Sequence, residues 1–350
     1  MPRHDNPPRL QPAPQRRPRR RIRWILASLL LPGLGAVVAV ADMGARRLIV
    51  PKRWPLAPAH EEILQRPADF GLTLRPFAVK TAEGLTLRAL VAEPSAQAGQ
   101  SDRGKRLLAV LETHPAPSRS WQPGQPPRGT VVLLHGLNGR KEFLLPVAER
   151  LAAVGLRSIL YDSRAHGTSD GAYATFGARE VDDAARVLDA AREKCGALGN
   201  VSVFGYSMGA AVALQWLPTM EQPASAVLIA PFADLETVVR LRAREQFGGW
   251  LAPALPVVRA CVRCRAGFDP ADISPQKSAS HWDGAVPVLI VHGGNDRVIP
   301  LSQALQLNAT LSAHHRTRTL VIPAAHHGDV MVRGGDALFA AVVTTFLQEK

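Results

Sequence analysis

Between Asn200 and Trp216 the sequence reads NVSVFGYSMGAAVALQW, and no other stretch constrains the fold so sharply. A short β-branched run ends at Gly205-Tyr206-Ser207-Met208-Gly209, and a small-residue helical run follows at once. A strand that passes directly into a helix must turn so tightly that its close neighbours have to be small, which Gly205, Gly209 and Ala210 satisfy. The turn lifts the Ser207 hydroxyl clear of the sheet and sets it at a helix N-terminus, where the backbone N–H of Met208 faces any negative charge that develops there. The plainer alternative, a serine that merely caps a helix after a tight turn, has to be weighed against the pattern around it.

That pattern is a regular alternation from Gly129 onward. GTVVLLHG, LRSILYD, NVSVFGY, SAVLIAP, PVLIVHG and RTLVIPA are apolar runs of strand length. Helical spacing separates them at Glu142–Val154, Ala178–Cys195, Ser207–Leu217, Ala233–Gln246, Leu301–Ser312 and Asp336–Gln348. In the second of these, Val181, Ala184, Ala185, Leu188 and Ala191 share one face. Two alternating strands, Thr73–Val79 and Leu85–Ala92, open the domain around the turn Glu83-Gly84. Unalternating buried strands joined by helices predict an α/β fold, a mostly parallel sheet with helices on both faces, whose reactive groups gather at the carboxyl ends of the strands. Two segments interrupt the rhythm. Residues 94–128 form a Pro-rich insertion in which Leu107–Leu111 is expected as a short strand, and residues 232–282 are expected as a small helical cap over Ser207.

The chain has 350 residues, 46% hydrophobic and 20% charged, enough for one large domain at 73–350 with appendages before it. Its formal net charge of +13 is concentrated at the start, where Arg3, Arg9, Arg16, Arg17, Arg19, Arg20, Arg21 and Arg23 are opposed only by Asp5. The rest carries no basic stripe with interleaved aromatics, which argues against a nucleic-acid partner. The basic tail, 1–21, runs into an apolar stretch at Ile22–Ala41, and about twenty residues at ~1.5 Å each span a ~30 Å hydrocarbon core. A transmembrane helix is therefore expected, with the arginines cytoplasmic, the chain single-pass in the inner (plasma) membrane, residues 42–72 a linker and the domain exported. A signal sequence cleaved after Ala39-Val40-Ala41, giving a secreted or periplasmic form, is the rival. The arginines of the cap (Arg240, Arg242, Arg244, Arg259, Arg263 and Arg265) read as a solvated face rather than a site for anions. Cys261 and Cys264 lack the second pair that a metal site needs, so in an exported domain a local disulfide is expected, with Cys195 a small buried hydrophobe.

A serine nucleophile requires a base, and the base an orienting carboxylate. The loop after PVLIVHG supplies Asp296, and the loop after RTLVIP supplies His326 and His327. His135 comes earlier, in LLHGLNG, where Gly136 permits a close approach of the backbone and the Leu137 N–H is placed as a second oxyanion donor. The His135 side chain reads as a loop-holding hydrogen-bonding group.

From about Thr73 to its end the chain resembles an α/β-hydrolase, near the serine-aminopeptidase-like and monoglyceride-lipase-like branch. The resemblance rests on His135-Gly136, YDSRAHGTSDG, Gly205-Tyr206-Ser207-Met208-Gly209, VHGGNDRVIP and AAHHGD in that order. It implies Ser207 as nucleophile, Asp296 as orienting acid and His327 as base, with the N–H groups of Leu137 and Met208 as the oxyanion hole. Ala165 stands where relatives usually have glycine, and Asp162, Arg164 and Asp170 read as stabilising that turn. The implied activity is hydrolysis of small-molecule acyl esters or thioesters through an acyl-enzyme, with no metal or organic cofactor. Two alternatives remain beside it: an aminopeptidase or amidase using the same residues, and a non-catalytic protein that binds through the same fold. The cap looks too short for a deep lipid tunnel, so short to medium acyl chains are expected.

Overall fold

The computed structural model describes residues 35, 37–113, 121–247 and 255–348. Eight strands form one sheet: β1 (Leu72–Lys80), β2 (Thr86–Pro94), β3 (Gly129–Leu134), β4 (Leu156–Tyr161), β5 (Val201–Tyr206), β6 (Ala226–Ile229), β7 (Pro287–Gly293) and β8 (Arg316–Ile322). Their spatial order is β1-β2-β4-β3-β5-β6-β7-β8. The pairs β1/β2 and β2/β4 are antiparallel, and every pairing from β4 to β8 is parallel. β3, β4, β6 and β7 are buried along their whole length, as unalternating apolar runs require of strands covered on both faces.

Successive residues still face opposite layers. Val132, Val203, Leu228 and Ile290 join one core with helices α5 (Glu180–Cys195), α6 (Met208–Trp216) and α10 (Leu301–Leu311). Val131, Leu133, Phe204 and Leu289 join the other with α4 (Leu145–Ala153) and α11 (Val330–Leu347). From β3 the chain crosses through α4 to β4 on one side, then through α5 to β5 on the other. Strand order therefore reverses at β3, and a crevice opens there at the carboxyl ends of β3 and β5. A third apolar cluster lies over this crevice, built from Met208, Phe176, Phe232, Leu235, Val262 and others.

Three expectations change. Leu107–Leu111 is not a strand but the end of helix α3 (Asp102–Glu112). Ser101 caps it by accepting from the Gly104 N–H at 3.1 Å, and Leu107 is fully buried, so tertiary packing and a cap override the strand-like run. The segment expected as a linker contains ordered structure: a helix over 37–49, α2 (Pro58–Gln65) and a 3₁₀ turn at Pro67–Phe70. The last helix begins at Val330 rather than Asp336, with a kink at Gly335, where φ is 55°. Among the described residues α11 alone has the length and apolarity of a membrane span, yet Leu338, Phe339, Val342 and Val343 bury it against the sheet. Most of Ile22–Ala41 lies outside the described residues, and residues 35 and 37–41 of it are helical.

The turn after β4 is fixed by a buried ion cluster. The Asp162 carboxylate, fully shielded, accepts from the Lys141 backbone N–H and from Lys141 Nζ, each at 2.8 Å, and from the Thr168 N–H at 2.8 Å. Burial alone would raise the pKa of Asp162, but Lys141 and these N–H groups hold it below the usual carboxylate range. Arg164 grips Asp183 with two bonds of 2.8 Å, and Asp170 accepts from the Thr86 N–H at 2.8 Å. Asp162, Arg164 and Asp170 thus hold the turn together, and Ala165 within it has φ 65°, the left-handed conformation that favours glycine. Asp162→Ala leaves the Lys141 ammonium with only the Glu142 carboxylate, 2.8 Å away, and strips the acceptor from the Lys141 and Thr168 N–H groups, so it is expected to lower unfolding stability by about 1–3 kcal/mol, read from urea denaturation of the full chain.

Candidate active site

Ser207 joins β5 to α6 with φ 53° and ψ −114°. A residue other than glycine holds such a conformation only where its surroundings enforce it, at a cost of about 1–3 kcal/mol. Here the Ser207 N–H donates to the Ile229 carbonyl at 2.8 Å, and the N–H groups of Ala210 and Ala211 donate to the Ser207 carbonyl at 3.0 and 3.1 Å. The two glycines are needed for contact as well as for turning. A Cβ on Gly205 would lie 2.5 Å from the Ala210 Cα, and one on Gly209 would lie 2.2 Å from the Leu134 carbonyl oxygen. β5, α6 and the end of β3 therefore meet backbone against backbone, with the serine side chain held outward.

Ser207 Oγ lies 2.8 Å from His327 Nε2, and His327 Nδ1 lies 2.7 Å from Asp296 Oδ2. Asp296 follows β7 and His327 follows β8, so three strand ends bring the groups together. The other Asp296 oxygen accepts from the N–H groups of Val298 and Ile299 at 2.8 and 2.9 Å. Burial opposes the Asp296 charge, but the His327 bond and these two N–H groups lower its pKa below the ordinary value. An ionised Asp296 keeps the proton of His327 on Nδ1, which leaves Nε2 free to accept from the Ser207 hydroxyl.

His326 is exposed and turned away: its Nδ1 bonds the Asn295 carbonyl at 3.0 Å, and its backbone N–H donates to Asp329 at 2.6 Å. His135 is buried beneath the loop after β3. Its Nε2 accepts from the Ser163 N–H at 3.0 Å, so the proton sits on Nδ1, which donates to the Gly136 carbonyl at 2.9 Å. The His135 ring meets His166 edge-on at 4.9 Å, and burial keeps both neutral, pulling His166 down to about 3. This neutral pair lies beneath a loop that closely approaches Ser207: a Cβ on Gly136 would be 3.2 Å from the Ser207 Cβ. Leu137, next in that loop, and Met208 both line the cavity beside Ser207.

Tyr206 belongs to the site although nothing in the sequence singled it out. Its hydroxyl donates to the carbonyl of His327, 121 residues away, and fixes the backbone that carries the imidazole. Burial, reinforced by the charges of Asp296 and Asp329, pushes its pKa up to about 12, so it remains a donor. The one local sign was a tyrosine immediately before the serine, which says nothing about so distant a partner.

The cap is built largely from α7 (Leu235–Phe247) and α8 (Leu255–Ala266). Several of its arginines pair with carboxylates. Arg259 makes two bonds of 2.9 Å to Asp269, Arg263 bonds the same carboxylate, and Arg265 bonds Asp42 at 2.8 Å. Cys261 and Cys264 are free thiols one turn apart on α8, so the expected local disulfide is absent. Helical spacing sets such Cβ atoms about 5–6 Å apart, beyond the ~3.5–4.5 Å that the bond requires. Beneath the cap Ser207 opens into a cavity of about 610 Å³ whose walls are mainly apolar.

The comparisons with known proteins agree with this architecture. Residues 125–282 match the family model described as serine aminopeptidase, S33. The uncharacterized protein YqkD of Bacillus subtilis is 29% identical over 182 residues, 51% of this chain and 58% of that protein. The chain thus spans less than two thirds of that relative's length. A monoacylglycerol lipase of Mycolicibacterium smegmatis is 29% identical over 214 residues, covering 52% of this chain and 75% of the lipase. Among solved structures, the Pyrococcus furiosus esterase Pf2001 superposes with a TM-score of 0.58 at 19% identity, covering 85% of this chain and 97% of the esterase. An acylaminoacyl peptidase of Pyrococcus horikoshii superposes with a TM-score of 0.53 at 13% identity, over 78% of this chain and 40% of the peptidase.

The close backbone contact at Gly209 has a measurable consequence. Gly209→Ala forces the Leu134 carbonyl and α6 apart, and a displacement of about 1 Å at a reacting group costs on the order of a hundredfold in rate. Turnover of a p-nitrophenyl ester by this variant should fall at least that far while circular dichroism still reports a folded α/β chain.

Proposed function

We propose that this chain, which is an α/β-hydrolase of the serine-hydrolase type, cleaves carboxylic esters or thioesters through an acyl-enzyme while anchored to a membrane by its N-terminal segment. The observation that carries the chemistry is the continuous relay from Ser207 Oγ through His327 to Asp296, with bonds of 2.8 and 2.7 Å. In the proposed reaction Ser207 Oγ attacks the acyl carbon as its proton passes to His327 Nε2. The negative charge on the carbonyl oxygen is met by the N–H groups of Leu137 and Met208, the latter at the start of α6 where no intrahelical acceptor competes. His327 then protonates the departing alcohol or thiol. Water, deprotonated by the same nitrogen, releases the acid and restores Ser207. Asp296 stabilises the imidazolium throughout and keeps its tautomer fixed.

The cavity favours esters over the aminopeptidase alternative. An aminopeptidase must pair the free ammonium of its substrate, and among the described residues that line this cavity there is no Asp or Glu, whereas Arg47, Lys52 and Arg242 line it. A neutral acyl group against apolar walls suits the space better. The aminopeptidase reading therefore requires a cationic substrate that these walls repel. Its test is direct: the full chain should hydrolyse p-nitrophenyl butyrate at least a hundredfold faster than an amino-acid p-nitroanilide, and the reverse order would sink the ester assignment.

The two adjacent histidines separate on the same reading. His327→Ala is expected to lower kcat about a thousandfold or more, comparable to Ser207→Ala, because members of one relay act as a unit. His326→Ala should cost about tenfold or less. An opposite ranking in equally folded proteins would move the base to His326.

The membrane location rests on the arginine-rich tail and the apolar run Ile22–Ala41. The helix over 37–49 passes through the alternative cleavage point without a break, and Ala41, Ala45 and Ile49 on it are buried to 1%, 0% and 0% exposure. A cut after Ala41 would sever a packed helix, which supports the retained anchor. The protein should stay in the membrane pellet after a high-salt wash, with a C-terminal reporter active on the exported side. Soluble release of a form beginning near Asp42 would instead establish the cleaved signal.

A further inference from the structure

We propose that the helix over residues 37–49 is a wall of the acyl-chain site, and that Val40, Gly44 and Leu48 on it set the chain length that the enzyme accepts. The proposal rests on the ester-hydrolase reading above and adds to it a specificity element that lies outside both the sheet and the cap.

The helix carries two neighbouring stripes at i, i+4 spacing. Ala41, Ala45 and Ile49 form the first, and Ala45 and Ile49 pack into the apolar cluster that holds Met208, Phe176, Leu235 and Val262. Val40, Gly44 and Leu48 form the second, and they line the same cavity as Ser207 and His327. On a helix, residues four apart lie one above the other, so this second stripe runs along the cavity as a continuous strip. Val238 and Val239 of α7 and Val258 of α8 line the same cavity. Gly44 is where the strip approaches α8 closely, since a Cβ placed there would lie 3.8 Å from Val258 Cγ2. A larger side chain at position 44 therefore projects toward α8 and narrows the space.

The wall is fastened at two points. Midway along it Asp42 accepts from Arg265 Nη2 on α8 at 2.8 Å. At its end the Ile49 carbonyl accepts from the Ala174 N–H at 2.8 Å, and the Lys52 N–H donates to the Asn138 side chain at 2.6 Å. Asn138 directly follows Leu137. The helix is thus joined to the cap on one side and to the oxyanion loop on the other, so it is a fixed part of the site. A fatty chain esterified to a small alcohol matches these walls: the ester sits at Ser207 and the methylenes run between the strip and α7–α8.

The test compares kcat/KM of the full chain in detergent for p-nitrophenyl decanoate and p-nitrophenyl acetate. Gly44→Phe should lower the decanoate-to-acetate ratio by about tenfold or more, because a single methylene gained or lost in an apolar pocket is already worth about tenfold or more. Leu48→Ala enlarges the same strip without blocking anything and should raise the ratio of dodecanoate to octanoate by about threefold or more. Val38→Phe, an exposed position on the same helix that does not line the cavity, should leave both ratios unchanged. Acetate turnover at wild-type level with an unchanged decanoate ratio in Gly44→Phe would overturn the proposal. If Gly44→Phe loses both substrates through misfolding, Leu48→Ala decides: a shift toward longer chains supports the wall, and an unchanged profile overturns it. Wild-type protein that hydrolysed neither ester and resisted a fluorophosphonate probe would overturn the ester-hydrolase reading and this assignment together, a pattern distinct from the loss of chain-length control alone.

Discussion

The backbone contact between Gly209 and the Leu134 carbonyl is the constraint on which the site depends. With no Cβ at 205 or 209, α6 settles against the end of β3, and Ser207 has no freedom left except to hold φ at 53°. The strain of about 1–3 kcal/mol is offset by the packing of two complete core layers on either face of β5. The same contact brings the loop after β3 within van der Waals distance of the nucleophile. Ser207 and the loop after β3 are therefore placed by a single close approach rather than by two separate adjustments.

What keeps that loop in place is a set of buried polar groups. His135 and His166 stay neutral because burial disfavours their charged forms; both His135 ring nitrogens and the His166 Nδ1 bond backbone groups instead of solvent. Lys141, just after the loop, is held by the shielded carboxylate of Asp162. A cation and an anion buried together in this way add little net stability over an apolar pair, but they make one arrangement far better than its neighbours. The rigidity required of an oxyanion site is consistent with this use, since its donors must already point correctly when charge develops. Tyr206 extends the principle to His327, tying its carbonyl to the strand that leads into Ser207.

Much of this was legible in the sequence because it is local. Strands β3 to β7 announce themselves as short apolar runs bounded by turns, and the serine between two glycines is a pattern spanning five residues. Asp296 and His327 follow from their positions after later strands, although choosing between His326 and His327 needed the family's spacing. The parts that escaped are those decided at long range. Leu107–Leu111 reads as a strand by composition and is a helix because Ser101 caps it and Leu107 finds a buried place. Tyr206 gave no sign of its distant acceptor. The two cysteines of the cap suggested a disulfide that one turn of helix holds apart. The segment after Ala41 looked like a linker since its sequence, rich in Arg and Pro, carries its apolar residues on stripes too short to stand out beside the run that precedes them.

That segment changes how the N-terminal region and the site relate. A tether that only held the domain near a bilayer would be indifferent to which residues touched the catalytic cavity, and a flexible linker would serve. Instead the residues that continue the apolar run form a helix whose buried stripe enters the cap cluster and whose second stripe faces Ser207 and His327. Pairing Asp42 with Arg265 and Lys52 with Asn138 removes the rotational freedom that a linker would keep. On the membrane reading proposed above, the orientation of the cavity relative to the bilayer is then set by helix packing, so that an acyl chain leaving the lipid phase meets the wall of the site before it meets solvent. Passage of an apolar chain through water costs about 0.8 kcal/mol for each exposed CH₂, and a helix shared between the anchor and the cavity lessens that exposure.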